Sequence, residues 1–119
     1  MSQVSLRHLP AQVEGQIYQI FLDSFSLHTS PGVTSSFLSD LLSPVERLML
    51  AKRLAISYML LKGYPHRTVA DTLRVSQATV TKVNLSLKAG DGYRQVITKM
   101  LKKEQIVAFF DQLEAKITQ

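Results

Sequence analysis

An all-helical domain is what this sequence predicts, and three observations carry the prediction. Apolar residues recur at steps of three and four, no stretch alternates as a half-buried strand does, and helix starts and stops punctuate the chain. The 119 residues suit a single domain spanning 1–119, and 45% hydrophobic against 19% charged residues supplies enough apolar material for a core. No internal repeat or low-complexity tract interrupts the pattern.

From Pro10, Val13, Ile17, Ile20, Phe21 and Phe25 mark one face of an amphipathic helix, which LHTSPG (Leu27 to Gly32) then breaks. A short helix is expected over Ser35 to Leu42, turning Phe37, Leu38, Leu41 and Leu42 inward. Ser43, Pro44 and Glu46 form the clearest boundary. Serine caps the Glu46 amide, Glu46 reaches back to the Ser43 amide, and proline takes the first helical position. The long helix that starts there carries Leu50, Leu54, Tyr58 and Leu61 on one stripe and stops at Gly63, before Pro65.

Residues 66–88 read as helix, tight turn, helix. Val69 and Leu73 face inward from the first helix, Ala70 is small enough for close approach, Val75 plugs the turn, and Val80 and Val83 pin the second helix. Ser76 is a suitable N-cap, while Arg74 stands where such turns often place glycine. After the turn KAGDGY (Lys88 to Tyr93), a C-terminal helical segment over 91–119 turns Val96, Ile97, Met100 and Leu101 inward. Ile106, Phe110, Leu113 and Ile117 follow out of phase, so a break is expected near Lys103. Ile17, Phe21, Phe25, Phe109 and Phe110 are expected to be core or dimer residues.

Charge narrows the function. Residues 52–103 hold 11 basic residues against Asp71 and Asp91, a net +9, whereas 1–51 and 104–119 are each net −2. The whole chain has a pI near 9.7. A basic block between acidic flanks suits a polyanionic partner.

Other classes fall away. The absence of cysteine excludes thiolate catalysis, disulfides and cysteine metal sites. No metal site and no catalytic residue is expected: His8, His28 and His66 belong to no H-E-x-x-H or nucleophile arrangement, and Gly90 and Gly92 lead to Tyr93 instead of a phosphate-loop Lys-Ser or Lys-Thr pair. The aromatics follow helical stripes and form no RNA-stacking motif. The apolar runs are far shorter than a membrane span, and MSQVSLRHLPAQVEGQ is not a secretory signal, so a cytoplasmic protein is expected.

If the second helix of 66–88 inserts into a major groove, its outward residues are Gln77, Ala78, Thr79, Thr81, Lys82 and Asn84. Gln77 suits an adenine edge, Ala78 a thymine methyl, and Thr81 either. Arg67, Arg74, Lys82 and Lys88 suit phosphates, and Arg67 is also placed for a guanine.

Three stretches in the same order and spacing, LSPVERLMLAKR (Leu42 to Arg53), LLKG (Leu60 to Gly63) and ATVTKVNLSLKAG (Ala78 to Gly90), make the chain resemble the Trp repressor family of bacterial transcription regulators from Leu42 to about Leu101. The resemblance implies an all-helical, intertwined homodimer. In it, 43–63 is the long central helix and 66–88 a helix-turn-helix that reads a palindromic operator; residues 1–42, outside the resembling stretch, are expected from their apolar helix faces to be dimerisation helices. It also implies operator-reading roles for Arg67, Gln77, Ala78 and Thr81, and a backbone contact for Lys88.

In the family, tryptophan lies between the central and recognition helices with its ring between two arginines. Arg53 matches one of them, Ser86 a residue near the ligand amine, and Ser43 replaces a threonine at the pocket edge. Lys82 replaces the second arginine, and its flexible ammonium does not stack on an indole as a planar guanidinium does. Val83 replaces a glycine. An effector pocket would thus draw on Ser43, Arg53, Lys82, Val83 and Ser86. The expectation is that Val83 partly fills it, so the reading helices are held without tryptophan or by another effector. No cofactor is expected, and a small-molecule corepressor stays open. The partners are double-stranded DNA and a second copy of the chain, with no membrane. The competing reading is a helical dimeric interaction module that has lost specific DNA reading.

Overall fold

The computed structural model describes residues 7–118, apart from the side chains at positions 114 and 116–118. The expectations for residues 1–6 of the N-terminal stretch and for the Ile117 side chain lie outside that set. Among the described residues the chain is all helical. The helices are α1 (Ala11–Ser24), α2 (Pro31–Leu41), α3 (Pro44–Leu61), α4 (His66–Leu73), α5 (Gln77–Ala89), α6 (Gly92–Met100) and α7 (Glu104–Thr118). Packing divides them into two compact units, one up to Met49 and one from Leu50 onward.

In the first unit, aromatic rings join α1 to α2. Phe21 meets Phe25 edge-on at 5.1 Å, and Phe25 meets Phe37 at 5.6 Å. Yet α1 contains no buried residue, and Ile17 and Ile20 are 53% and 68% exposed. The apolar face drawn from periodicity exists, and among the described residues its Ile17 and Ile20 stay exposed.

Helix α2 starts at Pro31, four residues before the expected Ser35. Ser30 accepts the Val33 amide at 3.4 Å and Pro31 occupies the first turn, so Ser-Pro is a helix start here as well as at Ser43. At Ser43 the expected reciprocal cap is present. Glu46 N–H donates to Ser43 Oγ at 3.2 Å, and Ser43 N–H donates to Glu46 Oε1 at 2.8 Å. The Ser43 amide, and after it the Ser43 hydroxyl, hold the Glu46 carboxyl below its usual pKa. Arg47 secures the same corner by donating to the Ser39 and Leu42 carbonyls at 3.0 and 2.9 Å.

The second unit has a conventional core built on Ile56 and Tyr58 of α3, Val69 of α4, Val80 of α5 and Ile97 of α6, all almost completely buried. Burying each aliphatic side chain stabilises the fold by about 1.5–3 kcal/mol. Helix α3 ends as the sequence predicts. Gly63 adopts φ 95°, Tyr64 N–H reaches the Met59 carbonyl at 3.1 Å, and Gly63 N–H reaches Leu60 at 3.0 Å. The helical path breaks between Met100 and Glu104, as the phase change near Lys103 requires.

Several inward assignments fail. Leu50 is exposed, and the buried stripe of α3 begins only with Leu54. Val96 and Leu101 of the α6 region are exposed because the nine-residue helix buries one narrow face, set by Tyr93, Ile97 and Met100. Val96 falls at the edge of that face, about 60° from its centre, and Leu101 falls where the helix ends. Phe109, expected as a core or dimer residue, is exposed. Phe110 takes the inward position, stacked on Tyr58 with ring centroids 4.0 Å apart. Among the described residues the Tyr58 hydroxyl has no hydrogen-bond partner, and burial raises its pKa. An apolar cleft of about 420 Å³ lies beside this stack, lined by Leu54, Ala55, Met100, Ile106 and Phe109.

Candidate nucleic-acid interface

Helix α4 is only eight residues long and has no side-chain N-cap bond. It ends at Arg74, whose backbone is left-handed at φ 57°, ψ 50°. Arg74 therefore occupies the conformation that explains the frequent glycine at this place, at a cost glycine would not bear. Arg74 and Val75 both donate their amides to the Ala70 carbonyl, the latter at 3.1 Å, and Lys52 Nζ reaches the Arg74 carbonyl at 3.4 Å. Lys52 is a turn support that the sequence reading missed; the contact spans 22 residues, and no local pattern reveals it.

Three residues, Arg74 to Ser76, separate α4 from α5. Ser76 caps α5 by accepting the Thr79 amide at 3.1 Å, as its position predicts. Val75 packs against the core from the turn, and Ala70 is buried among the same residues as Val80 and Val83. The packing pattern expected for 66–88 is thus present residue by residue.

Helix α5 divides its two sides sharply. Val80, Val83 and Leu87 are buried, at spacings of three and four. Gln77, Ala78, Thr81, Lys82 and Lys88 are exposed, as are Arg67 on α4 and Arg74 in the turn. Two proposed readers differ from the rest. Thr79 is half-buried, with its hydroxyl 2.9 Å from Ser76 Oγ, and Asn84 is also half-buried. Leu85, passed over as apolar, is 60% exposed on the outward side. Its exposure follows from its spacing to Thr81 and Lys88, which the periodicity alone contains.

The residues assigned to an effector pocket are not alike. Val83 is 5% exposed and part of the core. Ser86 donates to the Lys82 carbonyl at 3.3 Å, and Arg53 is exposed. Ser43 belongs to the first unit, with its hydroxyl committed to the Glu46 amide.

Among the described residues no helix is long and apolar enough to cross a membrane, and no three His, Asp or Glu residues gather as a metal site. What the second unit offers instead is a capped helix with an outward polar and basic face, held by a buried apolar one. No curated protein and no solved structure matches the chain. A family model described as Trp repressor protein matches residues 16–102, most of the chain, and the protein belongs to the Trp repressor family.

Proposed function

We propose that this member of a family of DNA-binding transcription regulators is a repressor that binds a palindromic operator as a homodimer, with α4, the turn and α5 as its helix-turn-helix. The observation that carries the reading is the division of α5. Val80, Val83 and Leu87 are spent on packing, which leaves Gln77, Ala78, Thr81 and Lys82 outward near the helix N-terminus, where recognition helices contact base edges. Gln77 and Thr81 read bases, and Arg67, Arg74, Lys82 and Lys88 hold phosphates, Arg67 with reach to a guanine. Thr79 serves the cap first and contacts DNA second.

Dimerisation is supported by uncovered apolar faces. No residue of α1 is fully buried, and Val45, Leu48 and Met49 at the start of α3 are exposed. A second copy supplies the cover such faces need. Two copies also place two reading helices about one DNA turn apart, which matches half-sites of a palindrome.

Tryptophan is not the corepressor in this reading. Lys82 stands where the family resemblance has an arginine, and Val83 is part of the core. Occupancy of a promoter by the dimer is the mechanism of repression, in the cytoplasm.

Selection from a random duplex library at physiological salt tests the proposal, since non-specific binding is weak there. Enrichment of a palindrome is the expected result. Binding that enriches no sequence and vanishes as salt rises would favour the interaction-module reading.

A further inference from the structure

We propose that α7, which lies beyond the residues matched by the family model, is a strut that positions α4 and through it the reading helix α5, with Phe110 as its positioning residue. The DNA-binding side of this inference rests on the function proposed above.

The argument starts from how little local structure supports α4. Eight residues are too few to hold a helix in isolation, since nucleation is unfavourable and each end leaves backbone groups unpaired. Its N-terminus has no side-chain cap, and its C-terminus is a non-glycine residue in the left-handed region. Its place is therefore set by tertiary packing. The most extensive helix contacts of α4 are with α5 and α7, and its Val69 and Ala70 share the apolar cluster with Tyr58 of α3. The contact with α5 joins the two members of the reading pair to each other. The contact with α7 joins α4 to the rest of the unit, as that with α6 does for α5, while Lys52 of α3 holds the turn between them.

Helix α7 is equipped for that task. The Phe110 ring lies nearly parallel to Tyr58, 18° between planes, and Tyr58 sits fully buried in α3 beside Val69 and Ala70 of α4 in one apolar cluster. Leu113, one turn further on, is buried in that cluster, and Ile106, one turn earlier, packs against it. Ile106, Phe110 and Leu113 are thus one face of α7 inserted into the core that carries α4. Phe109, adjacent in sequence, stays exposed, so the insertion is specific to this face.

The test compares Phe110→Ala and Phe110→Leu with the natural chain, all full length. Hydrogen exchange of α4 and α5 amides is one readout; affinity for the selected duplex and for a random-sequence duplex at the same salt is the other. Phe110→Ala is expected to speed exchange in α4 more than in α6. If the competent arrangement falls to about a tenth of the population, the selected duplex binds about tenfold more weakly. Affinity for the random duplex, set by phosphate contacts, is expected to change little. Phe110→Leu, which keeps most of the apolar volume, restores most of both losses and serves as the readout if Phe110→Ala does not fold.

Unchanged exchange in α4, or equal loss on both duplexes, overturns the strut. Should the natural chain select no sequence, the proposed function fails while the exchange comparison still decides the role of α7. Faster exchange confined to α4 and α5 then supports the strut, and unchanged exchange removes it.

Discussion

Helix α1 and helix α5 are nearly equal in length, 14 and 13 residues, and both carry apolar residues at helical spacing, yet α1 buries none and α5 buries Val80, Val83 and Leu87. Periodicity marks which side of a helix seeks cover, but not whether the same chain supplies it. In the second unit α3, α4, α6 and α7 provide that cover and α5 is left with one free polar face. In the first unit, aromatic contacts between α1 and α2 leave Ile17 and Ile20 in solvent. Under the proposed function these two kinds of free surface have different partners: the apolar one meets a second copy, the polar and basic one meets DNA.

The contrast is broken most forcefully in the core. Ile56→Ala removes a fully buried side chain and is expected to destabilise the protein by about 2–5 kcal/mol, read as a lower urea midpoint. Ile17→Asp is expected to act differently, shifting sedimentation from dimer to monomer at micromolar concentration while the second unit keeps its fold. A natural chain that sediments as a monomer would remove the assignment of α1 to self-association.

A smaller effect is expected at the start of α3. Ser43→Ala removes a capping oxygen and is expected to cost about 0.5–2 kcal/mol. The partner in this cap titrates. Because folding lowers the Glu46 pKa, its contribution is complete above the ordinary carboxylate pKa and is lost as pH falls through the lowered folded value. The urea midpoint of the natural chain is therefore expected to drop across that acid window, and Glu46→Gln is expected to lack this share of the drop. Parallel profiles for the two proteins would exclude Glu46 as its source.

These effects also mark what was legible in the sequence. The caps at Ser43, Gly63 and Ser76 were readable because each depends on neighbours within a few residues. The same logic applies at Ser30 and Pro31, where the LHTSPG stretch reads as a breaker and the helix nonetheless starts at the proline, four residues before Ser35. Burial was less legible. Val96 and Ile97 are adjacent apolar residues, and only the packing of a nine-residue helix decides that Ile97 is covered and Val96 is not. At the candidate interface the outward residues of α5 were found by subtracting those needed for packing. That procedure placed Gln77, Ala78, Thr81 and Lys82 outside correctly, missed Leu85, and overstated the freedom of Thr79 and Asn84. Lys52 at the Arg74 carbonyl was beyond reach, since the contact is long-range.

The most direct measurement of the central claim is binding of the Gln77→Ala/Thr81→Ala double variant to the selected duplex and to a random-sequence duplex. If α5 reads bases with these two side chains, the selected duplex loses about 1–3 kcal/mol of binding for each base-edge contact removed, and the random duplex is spared. Equal loss on both duplexes would contradict the account, because it would show these side chains serving the phosphate backbone or the fold and not the sequence.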